Sequence, residues 1–169
     1  MNTPAHLLIG AALFSRRNNR PATLGAILGA VAPDLSLYIM AGVSMFVLGI
    51  APERVFNELY FSDAWQLVFA VDNSIPLWGA VLVLGLWRKW TFVWALAAAA
   101  LVHIGLDLPL HHDDGRAHFW PFSSWVFESP VSYWDRNHHS LWFLPLGAVL
   151  AAAALFSLLR RFTNWWIRV

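Results

Sequence analysis

Long stretches of this chain are apolar on every side rather than along one face. Pro21–Pro52 carries a single charge, Asp34, and Asn137–Leu159 carries no Asp, Glu, Lys or Arg over 23 residues. Asn73–Trp87 and Trp90–Leu106 also lack them, although His103 sits inside the second. Helices hydrophobic all round belong in a large core or a bilayer, and about 20 such residues span one. The pattern therefore predicts an all-α, polytopic membrane helical bundle with about five transmembrane helices, over 5–16, 21–50, 73–87, 90–109 and 140–160. The second stretch is too long for one straight helix. Pro33, which disrupts the turn before it, predicts a helix to about Ala32 and another from Leu35 that crosses obliquely or lies along the outer interface. Gly25-x-x-x-Gly29, Ala95–Leu101 and Gly147–Leu155 supply the small residues that let membrane helices approach closely.

Composition agrees. Of 169 residues, 59% are hydrophobic and 12% charged, against roughly 45–50% and about 25% in soluble domains. Such a chain excludes disorder, and a net charge of +1 argues against a nucleic-acid partner. With no cysteine there is neither a disulfide framework nor a thiolate zinc site. The 11 tryptophans fit a bilayer interface. Arg16, Arg17 and Arg20 follow the first apolar stretch instead of preceding it, so that stretch is expected to be retained rather than cleaved as a signal. The basic turns at Arg16–Arg20, Arg88–Lys89 and Arg160–Arg168 read as cytoplasmic by the positive-inside rule. The acid-rich segment 53–72 and a His/Asp-rich loop, 110–139, read as external. The expectation is a single integral membrane domain over 1–169, multi-pass in a bacterial inner membrane.

Climbing from that basic floor at about 1.5 Å per residue puts His6 roughly 15 Å up and Asp34, Asn73 and His103 about 21–22 Å up. Separate segments thus carry their strongly polar residue to the outer half of the membrane. Ionisable groups there are costly and pair, face the interior or serve function. Asp107 lies one turn beyond His103 on the same face.

Six of the seven histidines fall within 103–139. Imidazole and carboxylate are ligands zinc accepts without thiolates, and His103 with Asp107 can bind one ion from one helix face. Pro109 ends that helix and frees His111–His118 to curl back. His111, His112, Asp113 and Asp114 read equally as a solvated loop, and His138 and His139 as interfacial neighbours of Trp134 and Trp142. No Gly-x-Ser-x-Gly elbow, His-Glu-x-x-His pair or Walker loop occurs.

At His6-Leu-Leu-Ile-Gly10, Pro33-Asp34, His103-x-x-x-Asp107 and Phe119-Trp120-Pro121-Phe122, in this order across residues 1–125, the chain resembles a bacterial family of predicted membrane-bound metal-dependent hydrolases. The resemblance implies a divalent-metal site of His6, Asp34, His103 and Asp107, and a distant similarity to zinc-dependent phospholipase C. It departs at one place: where the family commonly has Thr-His-Ser, this chain reads Asp72-Asn73-Ser74.

Together these readings lead to an expected metal-dependent hydrolase with its site at the periplasmic face, acting on a phosphoester or another hydrolysable bond of an amphiphilic, membrane-lipid substrate. One or two zinc-like ions would be held by His6, Asp34, His103 and Asp107, completed by Asp72, His111 or His118. Asp135, His138 and Asp114 are the candidates to shuttle the proton. The alternatives are a non-catalytic metal-binding or metal-transport accessory protein, and a structural protein whose polar belt ties the helices together.

Overall fold

Several helices begin where the sequence places a polar side chain ahead of a proline. In a computed structural model, which describes residues 1–133 and 135–163, Asn2 caps α1 (Thr3–Phe14), its side chain accepting from the Ala5 amide at 3.1 Å. Asn19 caps α2 (Arg20–Gly29) through Ala22 at 3.1 Å. These caps satisfy amides that have no partner inside the helix. Next come α3 (Ala32–Gly42), continued by a π-helical turn to Val47, and a short α4 (Pro52–Arg54). Then follow α5 (Asp63–Asp72), α6 (Ile75–Trp87) capped by Ser74, α7 (Thr91–Asp107) and α8 (Ser140–Thr163). Among the described residues there is no strand. Trp134 and Arg168 lie outside them.

Three helical units are long and apolar enough to cross a membrane: Asp63–Trp87, Thr91–Leu110 and Ser140–Arg161. A fourth arises if α2 and α3, bent by 56°, are one broken span. The 12-residue α1 is shorter. Segment 53–72, expected to be wholly external, instead contributes α5 to the 25-residue unit that continues through α6. Asp63 and Asp72 mask this in the sequence, because they bracket an apolar decad whose interior has only Gln66 as a polar side chain.

Proline bends the second traverse, but three residues earlier than expected. Pro33 fits the first turn of α3, where a missing N–H costs nothing, and it offers no N–H to the Gly29 carbonyl. The Asp34 amide reaches Val31 at 3.0 Å rather than Ala30. The Ala30 carbonyl is thereby released from the helix.

The interior is built from small side chains. Ala22, Ala26, Ala95, Ala97 and Ala100 are fully buried, while Phe46, Val47, Val83, Trp87 and Trp142 are at least two-thirds exposed or nearly so. That is the reverse of a water-soluble fold and is what a lipid-facing exterior requires. The Gly25–Gly29 stripe sets how close α2 comes to α7. A Cβ at Gly29 would lie 2.0 Å from the Leu96 carbonyl oxygen, and one at Gly25 would lie 2.4 Å from that of Phe92.

Basic residues gather at one end of the bundle. Phe14 meets Trp94 edge to face at 6.3 Å, which brings the end of α1 to the start of α7. Arg161 of α8 donates to the carbonyls of Ser15 at 2.9 Å and Ala12 at 2.8 Å, satisfying acceptors left over at the end of α1. At the opposite end, α7 runs into a 3₁₀ turn (Leu108–Leu110) and the 110–139 loop folds back over the helices. The loop is tied to itself by Ser129 N to His111 O (2.9 Å) and Tyr133 N to Leu110 O (3.0 Å). Ile75 N to His118 O (2.9 Å) and Ser74 Oγ to Trp120 O (2.5 Å) tie it to the α5–α6 junction.

Candidate metal centre

Two imidazoles and a carboxylate meet at the end of the bundle away from the cluster of Arg16, Arg17, Arg88 and Arg161. His103 and Asp107 stand four residues apart on α7 and face the same way. His6 reaches them from α1, and the rings of His6 and His103 stack with centroids 3.7 Å apart at 15°. His6 Nε2 lies 3.0 Å from Asp107 Oδ1, and His103 Nε2 lies 3.3 Å from Asp107 Oδ2. All three residues are buried, and one ligand atom from each lies within 4.8 Å of the others. From the start of α3, Asp34 brings Oδ1 to 3.6 Å from His103 Nε2. Past the end of α7, His111 sits 3.5 Å from Asp107 through Nε2 and 2.8 Å from Asp114 through Nδ1. The Met1 ammonium also contacts Asp107 Oδ1.

Hydrogen bonding decides which nitrogen of His103 faces the carboxylates. Its Nδ1 lies 2.8 Å from the Ala30 carbonyl, an atom that can only accept, so Nδ1 carries the proton. Nε2, buried and without a hydrogen-bond partner, faces the carboxylates of Asp34 and Asp107. Facing two carboxylates in a low dielectric, that side of the ring is stabilised either by a second proton on Nε2 or by a metal cation bound there. His6 Nδ1 is also buried without a partner. Two face-to-face imidazoliums would repel each other, which disfavours answering the problem with protons on both rings. The donor set, two imidazole nitrogens and a carboxylate with a second carboxylate beside it, is one that zinc and similar divalent ions accept, and the Ala30 carbonyl is the outer-shell acceptor such a histidine uses. The group formed by His6, His103 and Asp107 could therefore hold a metal ion.

The remaining candidates divide. His111 and Asp114 belong to the centre's rim; Asp114 is buried rather than solvated, while Asp113 is exposed. Burial alone would lower the His111 pKa, but hydrogen bonds to Asp107 and Asp114 outweigh it and hold the ring above its ordinary value. His118 is buried on the loop's far limb, where Nδ1 donates to the Asn73 carbonyl at 3.1 Å. Burial keeps it below the ordinary imidazole value despite that bond. Asn73, which stands where the resembled family has histidine, is a strut: its amide donates to the carbonyls of Pro33 and Phe69, both at 3.0 Å, tying α5 to the start of α3. Asp72 ends α5, and its carbonyl accepts from Trp78 Nε1 at 2.6 Å. Asp135 and His138 pair with each other at 2.6 Å, and His138 stacks on His112. His139 is exposed.

Beside the centre opens a cavity of about 350 Å³ whose walls include Asp34, Asp107 and His111 together with Tyr38, Tyr60 and Arg116. The tyrosines and Arg116 were not singled out by sequence reasoning. The available signal was that Arg116 is the one basic residue between Lys89 and Arg136, set among the histidines. A second cavity of about 420 Å³ on the other side of Met1 is apolar, with Leu106, Phe127, Phe143 and Leu150 in its walls. Compared with protein-family models, curated proteins and solved structures, the chain matches none.

Proposed function

We propose that this protein is a multi-pass membrane metal-dependent hydrolase of the bacterial inner membrane, with its centre at the periplasmic side and an amphiphilic, lipid-like phosphoester as substrate. Five crossings follow if α1 crosses in company with its neighbours and α2–α3 count as one span. The observation that carries the proposal is the buried Nε2 of His103, without a hydrogen-bond partner, set among Asp34, Asp107 and His6. A single ion would be held by His6, His103 and Asp107, with Asp34 and His111 within reach to complete the set or share a second ion. A divalent ion of the zinc type lowers the pKa of bound water toward neutrality and polarises the scissile group.

The protein's own groups do the rest. Asp114 holds His111 from the side away from Asp107, so a proton taken up at His111 has an acceptor behind it. Asp135 and His138 sit with His112, and Asp114 is the stronger candidate for proton transfer. The adjoining apolar cavity suits the hydrocarbon part of an amphiphile, and the cavity at the centre suits its polar head. The bundle's division into a basic end and a His/Asp end supports the orientation, since Lys and Arg mark the cytoplasmic side.

Metal content of detergent-purified protein, measured by elemental analysis beside turnover of a short-chain phospholipid and of a soluble phosphodiester, tests the reading. Stoichiometric metal with turnover that is lost in His103→Ala supports it. Metal without turnover in the wild type leaves the metal-binding or metal-transport alternative. Absence of metal, with a melting temperature indifferent to chelator, rejects the centre itself.

A further inference from the structure

Arg116 is held in an unusual way for an arginine. Its guanidinium lies over the ring of Tyr60 at 4.7 Å and over that of Phe69 at 4.4 Å. Nη1 donates to the Asp114 carbonyl at 3.1 Å, and Nη2 donates to the Tyr60 hydroxyl at 2.5 Å. Those bonds use two of its five N–H groups. Its neighbours in the cavity include the carboxylates of Asp34, Asp107 and Asp114. A partly buried guanidinium laid on ring faces is stabilised by them as well as by its hydrogen bonds. The aromatic faces and the two bonds also fix its plane, so little side-chain entropy is lost when the remaining donors engage a ligand.

Those donors line the cavity that opens on the His/Asp centre. Because Tyr60 accepts from Arg116, its own O–H is left to donate elsewhere. Tyr133 lines the same cavity. A fixed guanidinium with the Tyr60 hydroxyl beside it matches a tetrahedral oxyanion, since arginine's fork pairs with phosphate through two parallel bonds.

We infer that Arg116, with Tyr60, is the anion-recognition element of the cavity, binding the phosphoryl oxygens of a ligand whose reacting group faces the His6–His103–Asp107 centre. The inference rests on the proposed hydrolase reading for the role of that ligand, but Arg116's binding of phosphate is measurable without turnover. The phosphoryl group could arrive as free phosphate or as a lipid headgroup.

The test uses full-length protein in detergent, supplied with zinc, with metal content measured on every sample. Binding is read by calorimetry for two probes, inorganic phosphate and dihexanoyl phosphatidic acid. Wild type should bind at least one of them. Arg116→Ala should weaken that binding at least tenfold with metal content unchanged, Arg116→Lys should lose most of it because a point charge lacks the fork, and Tyr60→Phe should weaken it by a few-fold. Tighter binding of the phosphatidic acid assigns the lipid headgroup, and tighter binding of phosphate assigns the free anion. If Arg116→Ala loses metal or fails to fold, Arg116→Lys and Tyr60→Phe carry the test. Failure of the wild type to bind either probe overturns the inference, as does an affinity unchanged within twofold in variants that keep their metal. A protein that binds phosphate through Arg116 but turns over no substrate would refute the hydrolase reading alone.

Discussion

His6 and His103 stack with ring centroids 3.7 Å apart, and so do His112 and His138. Each pair has an aspartate within 3.0 Å of one of its rings, Asp107 in the first case and Asp135 in the second. The difference lies in what surrounds them. The first pair comes from α1 and α7, has side chains at 0% and 1% exposure, and leaves one nitrogen on each ring without a partner. The second sits on the loop with His138 at 32% exposure, and each Nδ1 has an acceptor, Ser129 O at 2.7 Å for His112 and Asp135 Oδ2 at 2.6 Å for His138. An inventory of ligand-type residues does not separate the two. A rigid helical frame that strips water from unpartnered nitrogens and sets carboxylates beside them does, because charge and polarity there must be matched within the site rather than by solvent.

The largest expected effect is at Asp107, which touches His6, His103 and His111. Asp107→Asn should abolish stoichiometric metal and with it a linked stabilisation of about 3 kcal/mol when metal is at roughly a hundredfold its dissociation constant. Melting curves with and without chelator check this, and the contrast breaks if Asp107→Asn keeps metal while His138→Ala loses it. Next is Gly29→Val on α2. Its side chain would drive into the Leu96 carbonyl and push the released Ala30 carbonyl away from His103, so stability should fall by about 1–3 kcal/mol, or more, and metal affinity should fall with it. Denaturation and metal titration of the same samples read both.

A pH effect of intermediate size is expected at His118. Its folded pKa lies below the ordinary 6.5, so the stabilisation it provides is present above that pH and is lost as pH falls through the folded value. His111 is shifted the other way, and its contribution is present below 6.5 and fades as pH rises through its folded value. The difference in melting temperature between wild type and His118→Gln, followed from pH 7.5 to 5, about the range where imidazoles titrate, should therefore shrink toward acid. A constant difference would show that the Asn73 contact does not depend on charge. The smallest effect is expected for His138→Ala, with no change in metal content and a melting shift within about a degree, as for most surface positions. His112→Ala should cost slightly more than a solvated residue would, since its ring is half-buried and bonded to Ser129.

Much of the centre was legible one helix at a time. His103 and Asp107 share a face by the 3.6-residue period alone, and counting rises from the basic turns put His6 and Asp34 at nearly their height. The break near Pro33 followed from its missing N–H, although the bend falls at Ala30–Val31. α5 was hidden because Asp63 and Asp72 interrupt the apolar run, and a charge at a helix end looks the same in sequence as a charge in a loop. His118 and His111 could not be told apart, being similar histidines in one loop; the loop's return path sends one to Asn73 and the other to Asp107 and Asp114.

The sequence by itself determined that this chain is helical, with helices apolar enough to cross a membrane and most of its bases set apart from its histidine cluster, because hydropathy, charge and helical period are local quantities summed along the chain. Only the tertiary structure decided which polar groups meet. His103 turns Nε2 toward the carboxylates because a carbonyl 73 residues away, freed by the bend before Pro33, accepts from Nδ1. Arg116 is held in its plane because the rings of Tyr60 and Phe69, from elements far away in sequence, lie beneath it. Both depend on partners distant in sequence and adjacent in space, which no local pattern encodes.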